Sequence, residues 1–212
     1  RSFFVIELTE QVSLIKSDKM IVKKWLRGRR SMALTVGIAS LLTDEQKYEV
    51  LRFWDIFEKD FNSVGVRSFD HPNLGFQGGR CSNISILKEE LSKLCTKISP
   101  FDFTVDGFGF FEVPSKVVYL QVKKTNEILD VHKKINSTLA KCCEDLFHFY
   151  TPENWVPHIT LAMDDLSEIN FEKFKNKYEH YSPSLKQTFS NLALVEFKEN
   201  GRVELLYKYE IK

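Results

Sequence analysis

The chain has 212 residues, 43% of them hydrophobic, which is enough for one sizeable core and argues against long disorder. Thirty basic and 29 acidic residues leave a formal net charge of +1. That balance excludes general electrostatic binding of nucleic acid, so any RNA would be met locally, in a groove.

In chain order, residues 3–8 read as a strand, and residues 12–24 alternate weakly. Lys23-Lys24, Arg27 and Arg29-Arg30 form a basic cluster that reads as a solvated junction. Residues 1–31 are therefore expected to be an N-terminal extension, and residues 32–212 the main domain. Met32 to Ala39 is a β-leaning run. Thr43, with Gln46 three residues later, forms a capping-box pattern. The helix it starts carries an apolar stripe through Tyr48, Leu51, Phe53 or Trp54, and Phe57 or Phe61. Val64 to Phe69 leads into His71-Pro72-Asn73-Leu74. Ser82 and Asn83 can cap a second helix bearing Ile86, Leu87, Leu91, Leu94 and Ile98.

The second half repeats this order. Phe101 to Val105 and Phe108 to Phe111 read as strand pieces broken by Asp106-Gly107, and Val117 to Val122 as a strong strand. A helix follows with Ile128, Val131, Ile135, Leu139 and Leu146 on one face. Tyr150 to Trp155 reads as a loop, Val156 to Met163 as a strand, and Phe171 to Tyr181 as a short helix. Leu192 to Phe197 and Val203 to Ile211 form a closing hairpin around Glu199-Asn200-Gly201.

His158-Ile159-Thr160-Leu161 and His71-Pro72-Asn73-Leu74 each place a histidine two residues before a polar residue. On a strand, that spacing points both side chains to one face. Two such strands could bring two imidazoles and two hydrogen-bonding groups into one cleft, as acid–base chemistry at phosphorus requires. The histidines are 87 residues apart, so a duplication is suggested by element order. Pro72 removes a backbone donor, which marks its strand as an edge or a strand end. Gly75-Phe76-Gln77-Gly78-Gly79-Arg80 reads as a flexible loop. Its functional alternative is a cleft rim on which Phe76 stacks a base and Arg80 meets phosphate. His132, His148 and His180 read as structural or surface residues. No His/Cys/Asp cluster has zinc-ligand spacing, so no metal is expected. Cys81, Cys95, Cys142 and Cys143 form no Cys-x-x-Cys pair, which points to reduced thiols in a cytoplasmic protein. No apolar run reaches membrane-spanning length and no secretory pattern opens the sequence, so no membrane partner is expected.

Pro157-His158-Ile159-Thr160-Leu161-Ala162, preceded by the His71 stretch, resembles the duplicated His-x-Thr/Ser-x signature of the two-histidine phosphoesterase superfamily. The similarity is to its 2′-5′ RNA ligase-like and cyclic phosphodiesterase branch. It covers roughly residues 32–212 and includes the Asp106–Phe111 and Val117–Val122 stretches. The resemblance implies an α+β, bilobal fold: two pseudo-symmetric antiparallel sheets, flanking helices and a central cleft. It also implies a metal-independent phosphodiesterase, without cofactor, acting on 2′,3′-cyclic phosphates or 2′-5′-linked oligonucleotides. One of His71 and His158 would be the general base and the other the general acid, in an order left open. Thr160 and Asn73 would hold the non-bridging oxygens. Asn73 departs from the family's hydroxyl, and Pro72 from its hydrophobic residue. A degenerate nucleotide- or RNA-binding module with the same cleft is therefore the alternative. A third reading is a vestigial cleft with assembly through the extension. A monomer is expected.

Overall fold

The computed structural model describes residues 33–212. The strand expected over residues 3–8, the alternation over 12–24 and the basic junction, hence the whole 1–31 extension, lie outside the described residues. Twelve elements follow one another: β1 (Leu34–Leu41), α1 (Asp44–Phe61), β2 (Asn73–Cys81), α2 (Ile84–Cys95), β3 (Phe101–Phe111), β4 (Val117–Val122), α3 (Asn126–Cys142), β5 (His158–Ala162), α4 (Glu168–Lys177), β6 (Ser184–Phe189), β7 (Asn191–Phe197) and β8 (Val203–Glu210). They build an α+β fold with two four-stranded sheets, ordered β2-β1-β7-β8 and β5-β4-β3-β6. Every pairing is antiparallel. β2 and β5 are the corresponding edges, and they approach one another.

The helices cross between the halves. α1, from the first half, buries Phe53 and Phe57 against Phe108 of β3 and Phe174 of α4. The Phe57 and Phe174 rings stack with centroids 4.6 Å apart. Truncating a phenylalanine buried this fully costs about 3–5 kcal/mol. α3, from the second half, packs on β2 and α2. Its buried stripe is Ile128, Val131, His132, Ile135 and Leu139. Leu146, expected on that face, lies beyond the helix and packs toward Gly79.

The caps divide. Asn83 caps α2 as expected, its Oδ1 accepting from the Ile86 amide at 3.1 Å. Thr43 is the N-cap of α1 but makes no side-chain cap bond. Its hydroxyl accepts instead from Gln187 Nε2, and its amide donates to Gln187 Oε1, both at 3.2 Å. The capping box with Gln46 is thus replaced by a tie to β6. β6 itself, Ser184–Phe189, carries too short an alternation to be read from sequence. Asp106-Gly107 does not break β3; the strand runs through, with a register shift there and Gly107 at φ 77°. No side chain but hydrogen takes that φ without cost.

All four cysteines are free. Burial pushes the Cys95 thiol up to about 11 and raises Cys142 and Cys143 as well. Thiols raised in this way are poor nucleophiles. Among the described residues no helix is long and apolar enough to cross a membrane.

Candidate active site

β5 begins at His158, and its alternation sends Ile159 and Leu161 into the core. His158 and Thr160 take the other face and line a cavity of about 280 Å³. Asn73, at the start of β2, lines the same cavity. β2 follows the same parity less sharply: Leu74 points into the core, Gly75 and the buried Gln77 line the cavity, and the fully buried Phe76 borders it as well. The structure therefore brings three of the four signature residues together.

His71 takes a different position. It lies in a bend just ahead of β2, not within a strand. Pro72 has no N–H to offer a ladder. Asn73 Nδ2 donates back to the His71 carbonyl at 2.9 Å, closing the bend. Since that carbonyl can only accept, the amide orientation is fixed, and one of its two N–H groups remains for a ligand. The His71 ring is not among the lining residues. It packs edge-on against Phe69, which does line the cavity, with centroids 5.1 Å apart.

His158 has a defined tautomer. Its Nδ1 lies 2.7 Å from the Val156 carbonyl, which can only accept, so Nδ1 carries the proton. Nε2 is left as the acceptor. Burial holds this imidazole below the ordinary histidine range, opposed in part by the Val156 bond. Its ring contacts Tyr119 and Phe111, at centroid distances of 5.1 and 5.3 Å. The Thr160 hydroxyl beside it has no protein partner among the described residues.

Reciprocal contacts set the geometry. Trp54 of α1 donates its indole N–H to the Thr160 carbonyl at 3.1 Å. Trp155, just ahead of β5, donates to the Gly75 carbonyl of β2, also at 3.1 Å. Each indole thus occupies an edge carbonyl of the opposite strand. Asp165, three residues beyond β5, grips the turn leading to His71. Its carboxylate accepts from the Ser63 hydroxyl and from the amides of Val64 and Gly65 at 2.6, 2.7 and 2.9 Å. Burial alone would raise this carboxyl; the three hydrogen bonds instead hold it below its ordinary value.

Two expectations are corrected here. Gly75 to Arg80 is strand, not a flexible loop. Phe76 borders the cavity but is 0% exposed and packs on Trp155 and Phe189, which leaves no open ring face for a base. Arg80 is exposed and lies outside the cavity lining; its backbone pairs with Glu144. Sequence reading also missed Phe147, Tyr150 and Phe197, which form the cavity's aromatic wall. Phe147 and Tyr150 stand in a segment without clear periodicity, so no local signal marked them. His132 is structural, as expected. It is 1% exposed and stacks on Trp155 at 4.0 Å. Its Nε2 stands within 3.1 Å of the Phe76 and Tyr150 carbonyls, which fixes it as the N–H donor. His148 and His180 are not among the cavity lining residues.

Comparison with known proteins bears on these positions. A Staphylococcus haemolyticus protein named as a phosphoesterase is 28% identical over 113 residues, 53% of this chain and 62% of that protein. An RNA 2′,3′-cyclic phosphodiesterase of Thermotoga maritima is 30% identical over 81 residues, 37% of this chain and 41% of that one. The chain therefore spans less than two thirds of the length of either relative. Among solved structures, E. coli LigT in its apo form superposes with a TM-score of 0.58 at 18% identity, covering 85% of this chain and 98% of LigT. Its complex with 3′-AMP superposes at 0.56 and 16%, covering 86% and 99%. At such identity the superposition speaks for the fold. The sequence pattern of one family matches residues 76–201, a stretch that takes in His158 and Thr160 and begins just after Asn73. With more than half of its length matched, on a fold shared with LigT, the chain belongs to the 2′-5′ RNA ligase superfamily.

Proposed function

We propose that this protein is a phosphodiesterase acting on RNA-type phosphodiesters, 2′,3′-cyclic phosphates or 2′-5′ linkages, by general acid–base catalysis. The observation that carries the reading is His158: proton on Nδ1, acceptor Nε2, its imidazole shifted below the ordinary histidine range by burial, with a free threonine hydroxyl two residues on in the same cavity. A neutral imidazole poised in this way is suited to act as a base. His158 Nε2 takes a proton from water as the water oxygen bonds to phosphorus. The bond from phosphorus to the leaving ribose oxygen breaks, and protonated His71 delivers a proton to that oxygen. Proton exchange with solvent then resets both rings. Thr160 and the remaining N–H of Asn73 donate to the non-bridging oxygens as negative charge accumulates, the task of an oxyanion hole. His71 reaches the reacting atoms by turning off Phe69, a side-chain rotation of the bend.

Support comes from the family, whose T. maritima relative is named for the cyclic phosphodiesterase activity, and from the LigT neighbour crystallised with 3′-AMP. Among the described residues no group of three or more His, Cys, Asp or Glu could hold a metal. Free thiols suit a reducing compartment such as the cytoplasm. A second reading, a nucleotide-binding module without turnover, draws on the Asn73 amide already tied to His71 and on the His71 ring standing outside the lining.

Hydrolysis of a nucleoside 2′,3′-cyclic phosphate in excess EDTA tests the proposal. The expected result is turnover in the wild type, lowered roughly 10²–10⁴-fold in His158→Ala and in His71→Ala. The double variant should be little worse than either single one, because the pair acts as a unit. Turnover that requires an added divalent ion, or that survives His158→Ala, would refute it. Binding of the cyclic phosphate without turnover would establish the second reading.

A further inference from the structure

The proposed chemistry uses no thiol, yet Cys81, Cys142 and Cys143 gather where α3 ends against β2. Cys81 is the last residue of β2 and is fully buried. Cys142 is the last residue of α3, and Cys143 is its C-cap. At Cys143 the chain has already left the helix, with φ −122° and ψ 151°, which is extended backbone. One residue further on, Glu144 forms an antiparallel bridge with Arg80. The Arg80 amide donates to the Glu144 carbonyl at 2.9 Å, and the Glu144 amide to the Arg80 carbonyl at 2.6 Å. That exchange makes Arg80 and Glu144 a hydrogen-bonded pair. The antiparallel register then sets Cys81 opposite Cys143, as the adjacent pair without hydrogen bonds between them. Cys142 is still helical and one residue out of that register.

A pair of this kind brings its Cα atoms to about 4.5 Å, the closest approach in an antiparallel ladder. A disulfide spans Cα separations of about 4.4–6.8 Å, so the register lies within its reach. The side chains agree. The Cys81 S–H donates to the Cys142 carbonyl at 3.2 Å, which seats its sulfur on the peptide that joins Cys142 to Cys143. Burial, and after it a hydrogen bond with Cys81, push the Cys143 thiol above the ordinary range. A thiol raised in this way is mostly protonated at neutral pH, and the thiolate is the attacking species. Oxidation of the pair is therefore slow, although the geometry favours its product. Beyond Glu144 the chain continues along β2. The Phe147 amide donates to the Gly78 carbonyl at 2.9 Å, and the Tyr150 carbonyl accepts from Gln77 Nε2 at 2.8 Å. Cys81 and Cys143 thus stand at the first rung of a seam that ends at the cavity-lining Phe147 and Tyr150.

We propose that Cys81 and Cys143 are a redox-modification site, which closes to a disulfide and latches residues 144–150 onto β2. With glutathione disulfide as the oxidant, the step balances. Cys143, half-buried and the more accessible of the two, loses its proton, and its sulfur attacks one glutathione sulfur. The bond between the two glutathione sulfurs breaks, and one glutathione leaves. Cys81 then loses its proton and attacks the Cys143 sulfur, and the second glutathione leaves. The protein thiols give up two electrons and two protons, and glutathione disulfide becomes two glutathione thiols. The bridge joins residues 62 apart in sequence, so its stabilising effect comes chiefly from restricting the unfolded chain.

The test dialyses the full chain to equilibrium at pH 8 against excess glutathione disulfide, with dithiothreitol-treated protein as the reference. Remaining thiols are alkylated, and the peptides are mapped by mass spectrometry. The expected product is one cross-linked peptide pair, Cys81 to Cys143, with Cys95 and Cys142 alkylated. The bridged protein should melt about 5–15 °C above the reduced one, a gap that dithiothreitol abolishes. The Glu144 and Phe147 amides, which donate across the seam, should exchange with deuterium more slowly in the bridged form. Cys143→Ser should melt at the same temperature in both buffers, whereas Cys142→Ser should keep the gap. Four alkylated cysteines after dialysis, glutathione left on Cys143 without closure, or a bridge from Cys81 to Cys142 would each overturn the assignment. A Cys81–Cys143 bridge with unchanged melting and unchanged exchange at Glu144 and Phe147 would overturn the latch. The mapping and exchange need only the wild type, so they decide the matter even if a serine variant does not fold.

Discussion

At the scale of single residues, the two signature strands show how far a short motif reaches. His158 and Thr160 could be placed from sequence because a strand's period of two is geometric, and the proline ahead of His158 keeps its neighbours extended. The first copy departs for the same kind of reason. Pro72 cannot donate, so β2 begins only at Asn73, and the amide folds back on His71. That tie depends on the reach of the asparagine side chain, which the letters alone do not convey. It also makes Asn73 a test of the proposed site. Asn73→Ala removes both the bend-closing bond and a donor to phosphate. Losing a hydrogen bond to a charged group costs about 1.5–3 kcal/mol, or roughly 10–150-fold in turnover. Asn73→Thr should retain wild-type turnover or exceed it, since a hydroxyl is the family's usual donor at this place. Steady-state rates at saturating cyclic phosphate decide the matter. An Asn73→Ala rate equal to the wild type would remove Asn73 from the site.

Elements were legible wherever burial is one-sided. The stripes of α1, α2 and α3 announce most of their buried faces, but Tyr48 and Ile86, read into the stripes of α1 and α2, stand exposed near the helix starts. β2 was harder, because glycines replace the side chains that mark a strand, and their reason lies elsewhere: Phe147 over Gly78 and Leu146 beside Gly79. No local pattern encodes a partner some 70 residues away. α3 carries a further consequence in His132, sealed between Trp155 and two carbonyls. Burial lowers its affinity for protons below the ordinary value of 6.5, with the carbonyl bonds opposing in part. Below about pH 6.5 the unfolded chain therefore takes up a proton that the native one resists. Stability is complete above that value and falls as pH drops through the lowered native range. His158 shifts in the same direction and contributes likewise. Urea midpoints at pH 7.5 and 5.5 should show the wild type losing stability at the lower pH. His132→Gln, which keeps a donor but does not titrate, should lose less between the two. An unchanged pH difference in the variant would show that His132 does not drive it.

The whole molecule is two halves that cannot be separated along the chain. The repeated element order suggests two self-contained lobes, yet each half sends its first helix to the other. α1 supplies the aromatic cover of β3 and α4, and its Trp54 holds the β5 edge. α3 covers β2, and its His132 holds the Phe76 carbonyl. β7 and β8, the last strands, complete the sheet that β1 begins. A fragment of residues 101–212 would lose α1 from above Phe108 and Phe174, and β7 would lose its partner β1. Exposed aromatic surface and an open strand edge of that kind do not support an independent fold. Residues 1–100 would lack both α3 and the closing strands. We therefore expect each fragment alone to show no cooperative thermal transition by near-ultraviolet circular dichroism. Mixed, the two should regain the transition, because the exchanged helices are themselves the interface. The candidate site would be restored with it, since Trp54 and Trp155 set the β5 and β2 edges from opposite fragments. Cooperative unfolding of residues 101–212 by themselves would show that the exchange of helices is not what holds the fold together.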